Sequence, residues 1–205
     1  MADYINPLGP GLKPARIDMG VDYTGSGPLY AIGSGTITNV YNTGWPGGKF
    51  IALKLSEGQY AGKYVYYAEN INPKVKVGQQ VKAGQLIGTA VGTYPYVEIG
   101  WAASPGSGGT MAAQAGEQAK GGDPGKYSTA YGVSMSNLIA SLGGTPGVMT
   151  PGGIQGSVAQ GYPQGGAQGA APVPASLASS LSNLGCIPLI GWIYLLVMRI
   201  RRAGK

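Results

Sequence analysis

The sequence predicts an all-β domain, then a low-complexity tether, then a single C-terminal hydrophobic helix. Three observations carry that reading. Short runs rich in Val, Ile, Tyr and Thr recur between residues 28 and 100, punctuated by Gly, Pro and Asn. A stretch of Gly, Pro, Gln, Ala and Ser follows. An uncharged apolar run then reaches Met198. Gly (38 residues) and Pro (15) together make about a quarter of the 205-residue chain, roughly twice the ordinary share. The glycines lack a three-residue period, so a collagen helix is excluded.

Taken in order, residues 1–22 contain no apolar run of the kind that forms the core of a secretory signal. Strands are expected at residues 29–32, 36–41, 50–55, 64–69, 86–91 and 96–99. The alternation is clearest in Phe50-Ile51-Ala52-Leu53-Lys54-Leu55. No helix of ordinary length fits there, and antiparallel pairing is expected. Residues 102–130 are small and polar and read as a long excursion. Val133, Leu138, Ile139 and Leu142 have helical spacing and precede Gly143-Gly144, which predicts one short helix over 131–142 with a glycine stop. The β domain is thus assigned to residues 1–145.

Residues 146–174 read as a disordered Gly/Pro/Gln linker, too poor in apolar surface to offset chain entropy. As a coil it spans roughly 30 Å. Residues 175–198 read as a hydrophobic helix that inserts in a membrane, with Ile187, Leu189, Ile190, Trp192, Ile193, Leu195, Leu196 and Val197 facing lipid. The strongly apolar part, from residue 184, is shorter than the ~20 residues of a full span. The Ser/Ala/Leu turn before it extends the helix, and Pro188 bends it. In the basic tail, 199–205, Arg199, Arg201 and Arg202 anchor the end at the headgroups. The plainer alternative for this segment is a helix packed against protein.

Charge and rare residues exclude several functions. Every acidic residue lies within the first 123 positions, and four basic residues close the chain. The net charge of +6 therefore belongs largely to the tail, and the folded part offers no basic nucleic-acid-binding face. A single Cys, Cys186, excludes disulfide frameworks and Cys-rich zinc sites. With no His, Ser-His-Asp and Cys-His catalysis are excluded, and no cofactor is expected. Tyr60, Tyr64, Tyr66, Tyr67, Trp45 and Trp101 are candidates for a sugar- or peptide-binding surface, although strand alternation sends half of the tyrosines into a core.

Three stretches together resemble one family. They are Asp18-Met19-Gly20-Val21-Asp22 with the following Gly27-Pro28-Leu29-Tyr30-Ala31-Ile32-Gly33, Tyr66-Tyr67-Ala68-Glu69-Asn70-Ile71, and Val77-Gly78-Gln79-Gln80-Val81-Lys82-Ala83-Gly84-Gln85-Leu86-Ile87-Gly88. Over residues 16–101 the order is similar to that of lysostaphin-type peptidoglycan metalloendopeptidases. The resemblance implies a duplicated-hybrid-motif fold, a β-rich barrel or sandwich. The last stretch is also shared with biotinyl and lipoyl carriers, but no Met-Lys pair is present to carry the cofactor.

The family's zinc chemistry does not carry over. Its His-x-Gly-x-Asp motif reads Asp18-Met19-Gly20-Val21-Asp22, its Tyr-Ala-His reads Tyr67-Ala68-Glu69, and its Thr-His-Leu-His-Phe-Glu is matched to Thr93-Tyr94-Pro95-Tyr96-Val97-Glu98. All four histidines are replaced. The resemblance implies that Asp18, Asp22, Glu69, Tyr94, Tyr96 and Glu98 converge on one groove, in which Asp18 and Asp22 offer at most a weak Ca²⁺ or Mg²⁺ site. The expected function is a non-catalytic, peptidase-like module, anchored to membrane lipid by one helix, that binds a cell-wall glycopeptide or a protein partner. An alternative is a phage virion or envelope assembly protein whose β domain docks to protein and whose apolar tail enters a membrane. A third is a hydrolase using paired carboxylates.

Overall fold

A computed structural model describes residues 3–40, 44–103, 108–117 and 126–164. Within them, strands and helices follow along the chain as β1 (Lys13–Ile17), β2 (Val21–Thr24), β3 (Ser26–Tyr30), β4 (Gly35–Val40), β5 (Phe50–Leu55), β6 (Tyr64–Glu69), β7 (Ile71–Pro73), β8 (Gln80–Val81), β9 (Leu86–Val91), β10 (Val97–Ala102), α1 (Met111–Gln114), β11 (Ser128–Thr129), α2 (Ala130–Ser141) and β12 (Ile154–Gln155). A seven-stranded sheet has the order β1-β2-β10-β6-β5-β4-β8, a three-stranded sheet the order β3-β9-β7, and β11 pairs with β12. All pairs in the two larger sheets are antiparallel.

The β-rich class follows from the sequence pattern. Strands β5, β6 and β9 have the expected bounds, and β3, β4 and β10 are offset from them by one to three residues. Helix α2 begins where Thr129 caps it, its hydroxyl accepting from the Gly132 N–H at 3.0 Å. The main core joins both larger sheets, with Leu29, Ile71 and Ile87 of the smaller one beside Ile51, Leu53 and Tyr67 of the larger. The far face of the large sheet carries a second apolar cluster, Phe50, Ala52, Tyr66, Ala68 and Ala102, with Trp45 and Tyr64 packed against it. Alternation along β10 explains the division: Val97, Ile99 and Trp101 face the main core, while Glu98, Gly100 and Ala102 face the other way. Tyr66, Tyr67 and Trp101 are fully buried, so they are core residues and not part of an exposed aromatic surface.

The first part of the expected linker belongs to the folded domain. Residues 145–164 lie against the β domain. The Ile17 N–H donates to the Val148 carbonyl and the Val148 N–H to the Ala15 carbonyl, at 2.8 and 2.7 Å. β12 runs parallel to β11. Tyr162 packs edge-on against Trp101 and Tyr131, with ring centroids 4.9 and 5.2 Å apart, and Lys63 sits over its face. The rest of the expected linker, the hydrophobic segment 175–198 with its lipid-facing residues, and the basic tail lie outside the described residues. Among the described residues no helix is long and apolar enough to cross a membrane.

Candidate functional site

The site is built on the junction of β1, β2, β10 and β6. Asp18 stands in the turn between β1 and β2, which closes with the Asp18 N–H donating to the Gly20 carbonyl. Helix α2 backs this turn, because the Asp18 carbonyl accepts from both the N–H and the hydroxyl of Thr129. Gly20 cannot be larger: a Cβ there would meet the Tyr66 hydroxyl at 2.5 Å and Glu98 Oε1 at 2.9 Å. Asp22 on β2 and Glu98 on β10 are Cα partners across the ladder, so their side chains share one face. Tyr66, from β6, donates its hydroxyl proton to Glu98 Oε1.

Carboxylate oxygens of Asp18, Asp22 and Glu98 all lie within 4.8 Å of one another, and all three residues are buried. Arg16 closes the cluster from β1. Its Nη2 is 2.9 Å from Asp18 Oδ2, and its Nε donates to Asp22 Oδ2 at 2.9 Å. Arg16 itself is half-exposed. Beside the cluster, Ala15, Arg16, Asp22, Glu69, Tyr94, Pro95 and Tyr96 line a cavity of about 240 Å³. Glu69 ends β6 at φ +77°, an uncommon conformation for a non-glycine residue, and it is the only such residue among those described. The loop carrying Tyr94 and Tyr96 is tied down by Asn70, whose amide donates to the Thr93 carbonyl and hydroxyl. The two tyrosine rings stand perpendicular at 5.9 Å.

Burial first, and then the crowding of four carboxylates around one guanidinium, disfavours their ionised forms. Burial, and then the Asp18 charge, raises Asp22 to about 7 against the partial opposition of Arg16. Burial, then Asp22 and Asp18, raises Glu69 to about 7. Burial drives Glu98 well above the usual carboxylate range, with Asp18 and Asp22 adding to the effect. Burial also raises Asp18, with Arg16 pulling it back.

Of the six groove residues read from the sequence, Asp18, Asp22 and Glu98 form the buried cluster, and Asp22, Glu69, Tyr94 and Tyr96 line the cavity beside it. β10 begins at Val97 and sets Glu98 opposite Asp22, while Tyr96 precedes the strand. Tyr96 lines the cavity, and Tyr94 is 82 % exposed. Sequence reasoning missed Arg16 and the hydrogen-bonding role of Tyr66. The sequence carries no signal for the first, because a β-bulge between Pro14 and Ile17 sets the direction of Arg16. Zinc does not fit the cluster. The donors are oxygens only, without the nitrogen or thiolate ligands that zinc sites use, and a cation already bridges two of them.

The comparisons with known proteins agree with the motifs. Residues 16–100 match the family model of Peptidase family M23. Among solved structures, lysostaphin from Staphylococcus simulans is 24 % identical, with a TM-score of 0.42 over 50 % of this chain and 47 % of its own. The matched region thus spans about half the length of that enzyme. The catalytic domain of a prophage-encoded M23 protein from Enterococcus faecalis, crystallised as a point mutant, is 19 % identical, with a TM-score of 0.42 over 52 % and 92 %. The separate catalytic domain of lysostaphin is 29 % identical, with a TM-score of 0.36 over 46 % and 77 %. No curated protein matches in sequence. With the motif order, the family match and the β-rich fold in agreement, residues 16–100 are a peptidase family M23 domain of the lysostaphin type.

Proposed function

We propose that this M23 domain is a non-catalytic module that binds a cell-wall glycopeptide in the cavity beside Glu69, and that the apolar segment 175–198 tethers it to a membrane. The observation that carries the reading is the donor set. In the matched motif segments this chain has Asp18 and Asp22 bridged by Arg16, with Glu98 beside them, and it contains no His to bind the metal or act as base. The cavity supports a binding role. The exposed Tyr94 ring and its neighbour Tyr96 offer aromatic faces to a sugar or peptide, and Glu69 offers a carboxylate to an amine of the stem peptide.

A second reading, hydrolysis by paired carboxylates, is favoured by one observation: Asp22 and Glu69 line the same cavity, and both are raised to about 7. One experiment separates the two. The full chain is incubated with purified peptidoglycan at low salt, and the pellet and the soluble fragments are assayed. We expect retention in the pellet, loss of most of it in a Tyr94→Ala/Tyr96→Ala variant, and no released fragments. Failure of the wild type to sediment overturns the binding module. Fragment release that Glu69→Gln abolishes establishes the hydrolase instead. Flotation of the full chain with lipid vesicles reads the tether, and a chain that stays at the bottom of the gradient removes it.

A further inference from the structure

The disagreement between the cluster and zinc has a specific structural cause. We infer that the Arg16 guanidinium takes the place that the metal ion holds in this fold, as an internal cation that closes the Asp18–Asp22–Glu98 cluster and leaves the domain metal-free.

The backbone aims Arg16 at the cluster. Pro14 pairs with Tyr23 and Ile17 with Val21, so Ala15 and Arg16 on β1 stand opposite the single residue Asp22 on β2. This is a β-bulge, the device by which a strand redirects one side chain. The bulged strand is held from its other side as well. Arg16 bridges to Val148, and hydrogen bonds from Ile17 and Val148 flank it. The guanidinium therefore projects from a backbone fixed on both edges.

The contacts are those of a shared counter-ion. Arg16 spends one nitrogen on each of two carboxylates, Nη2 on Asp18 and Nε on Asp22, instead of gripping one of them with both. A guanidinium stays protonated and has no acceptor, so it serves as a permanent cation here. Glu98 is satisfied separately, by the Tyr66 hydroxyl. One acceptor is left over: Asp18 Oδ1 is buried without a hydrogen-bond partner, in a residue only 7 % exposed. That orphan is what a cation with more coordination sites than a guanidinium would satisfy. The spacing also suits one, since oxygens on opposite sides of a hard ion at 2.3–2.6 Å are roughly 5 Å apart, and those of the cluster lie within 4.8 Å of one another.

Arg16 and a divalent cation are therefore alternatives for the same oxygens, and removal of the guanidinium opens a site for Ca²⁺ or Mn²⁺. The inference concerns the same residues as the proposed function, but its readout is metal content and metal-dependent melting. Loss of peptidoglycan binding leaves it standing, and a metal-binding wild type leaves the binding module standing. The full chain, stripped with EDTA and dialysed against Zn²⁺, Mn²⁺ or Ca²⁺, is expected to retain no stoichiometric ion and to melt at an unchanged temperature. Arg16→Met, of similar length but uncharged, is expected to melt several degrees higher with Ca²⁺ or Mn²⁺ than with EDTA. If that variant is unfolded in EDTA, millimolar Ca²⁺ or Mn²⁺ is expected to restore its fold. Arg16→Lys, which keeps the charge, is expected to fold and to ignore metal. A stoichiometric ion in the wild type, or an Arg16→Met chain indifferent to every cation, overturns the inference.

Discussion

A chain ending at residue 144 is expected to melt about 10 °C or more below one ending at residue 164, or not to fold at all. The composition of residues 145–164 reads as tether, but their backbone completes the domain. Removing them leaves the Ile17 N–H and the Ala15 carbonyl of β1 without their partners on Val148. It frees the Tyr23 hydroxyl from the Thr145 carbonyl. It strips Ser128 of its bonds to Thr150, and Ser136 of the bond it accepts from the Gly147 N–H. Each buried polar group left unpaired costs about 1–3 kcal/mol. Tyr162 also leaves, uncovering the faces of Trp101 and Tyr131 against which it packs. Together these losses reach about 5 kcal/mol, a large part of the ~5–15 kcal/mol that stabilises an ordinary domain, and each kcal/mol is worth roughly 2–8 °C. Melting both truncated chains by circular dichroism decides the matter. Equal midpoints would show that 145–164 contributes nothing and is a tether after all.

This segment also shows where sequence reading loses its grip. Strands β5, β6 and β9 are legible because Val, Ile, Leu and Tyr recur densely between turn residues, so burial leaves its mark on composition. β1 carries Lys13, Pro14 and Arg16 at a sheet edge, and β7 has three residues, so neither shows a hydrophobic period. Residues 145–164 are held mainly by backbone hydrogen bonds and by close approach. A Cβ on Gly147 would meet Val21 and Ile17 at 2.5 and 2.6 Å, a fit that composition cannot express. The site divides in the same way. Asp18, Asp22, Glu69 and Glu98 are legible as acids standing in the matched motif segments, two of them where the family has His. Arg16 is not, because its meeting with Asp22 depends on a bulge, and a bulge is one inserted residue with no composition of its own. Tyr66 stands out in the sequence only as one aromatic among several on an expected strand. It is buried, and its hydroxyl is also the partner of Glu98, a pairing that depends on the β6–β10 ladder.

Acidification from pH 8 to pH 5 is expected to stabilise the domain by about 2–4 kcal/mol. Asp22 and Glu69 are both raised to about 7 in the folded chain, from 3.8 and 4.5. Between their unfolded and folded values the native state therefore holds protons that the unfolded state has released, and the slope of stability against pH is negative. The stabilisation is fully present below about pH 4 and is lost as pH rises through about 7. Each tenfold gain in proton affinity on folding is worth about 1.4 kcal/mol. Asp22, 7 % exposed, supplies most of the effect. Glu69 is more open to solvent, which screens its share. The two carboxyls also repel each other, so protonating one relieves the other, and their contributions do not add in full. Arg16 stays charged throughout and keeps its hold on Asp18 and Asp22, so the cluster does not come apart as its acids are neutralised. The opposing effect is general: ordinary exposed acids protonate near pH 4, and the chain's positive charge, already +6 at neutral pH, then grows and repels itself. The midpoint of thermal unfolding should therefore peak near pH 5. Melting curves from pH 4 to 8.5 read it directly, and Asp22→Asn combined with Glu69→Gln should flatten the descent between pH 5 and 8. A midpoint that climbs over that interval would mean that these two carboxyls are ionised at little cost in the fold, contrary to the crowding around Arg16.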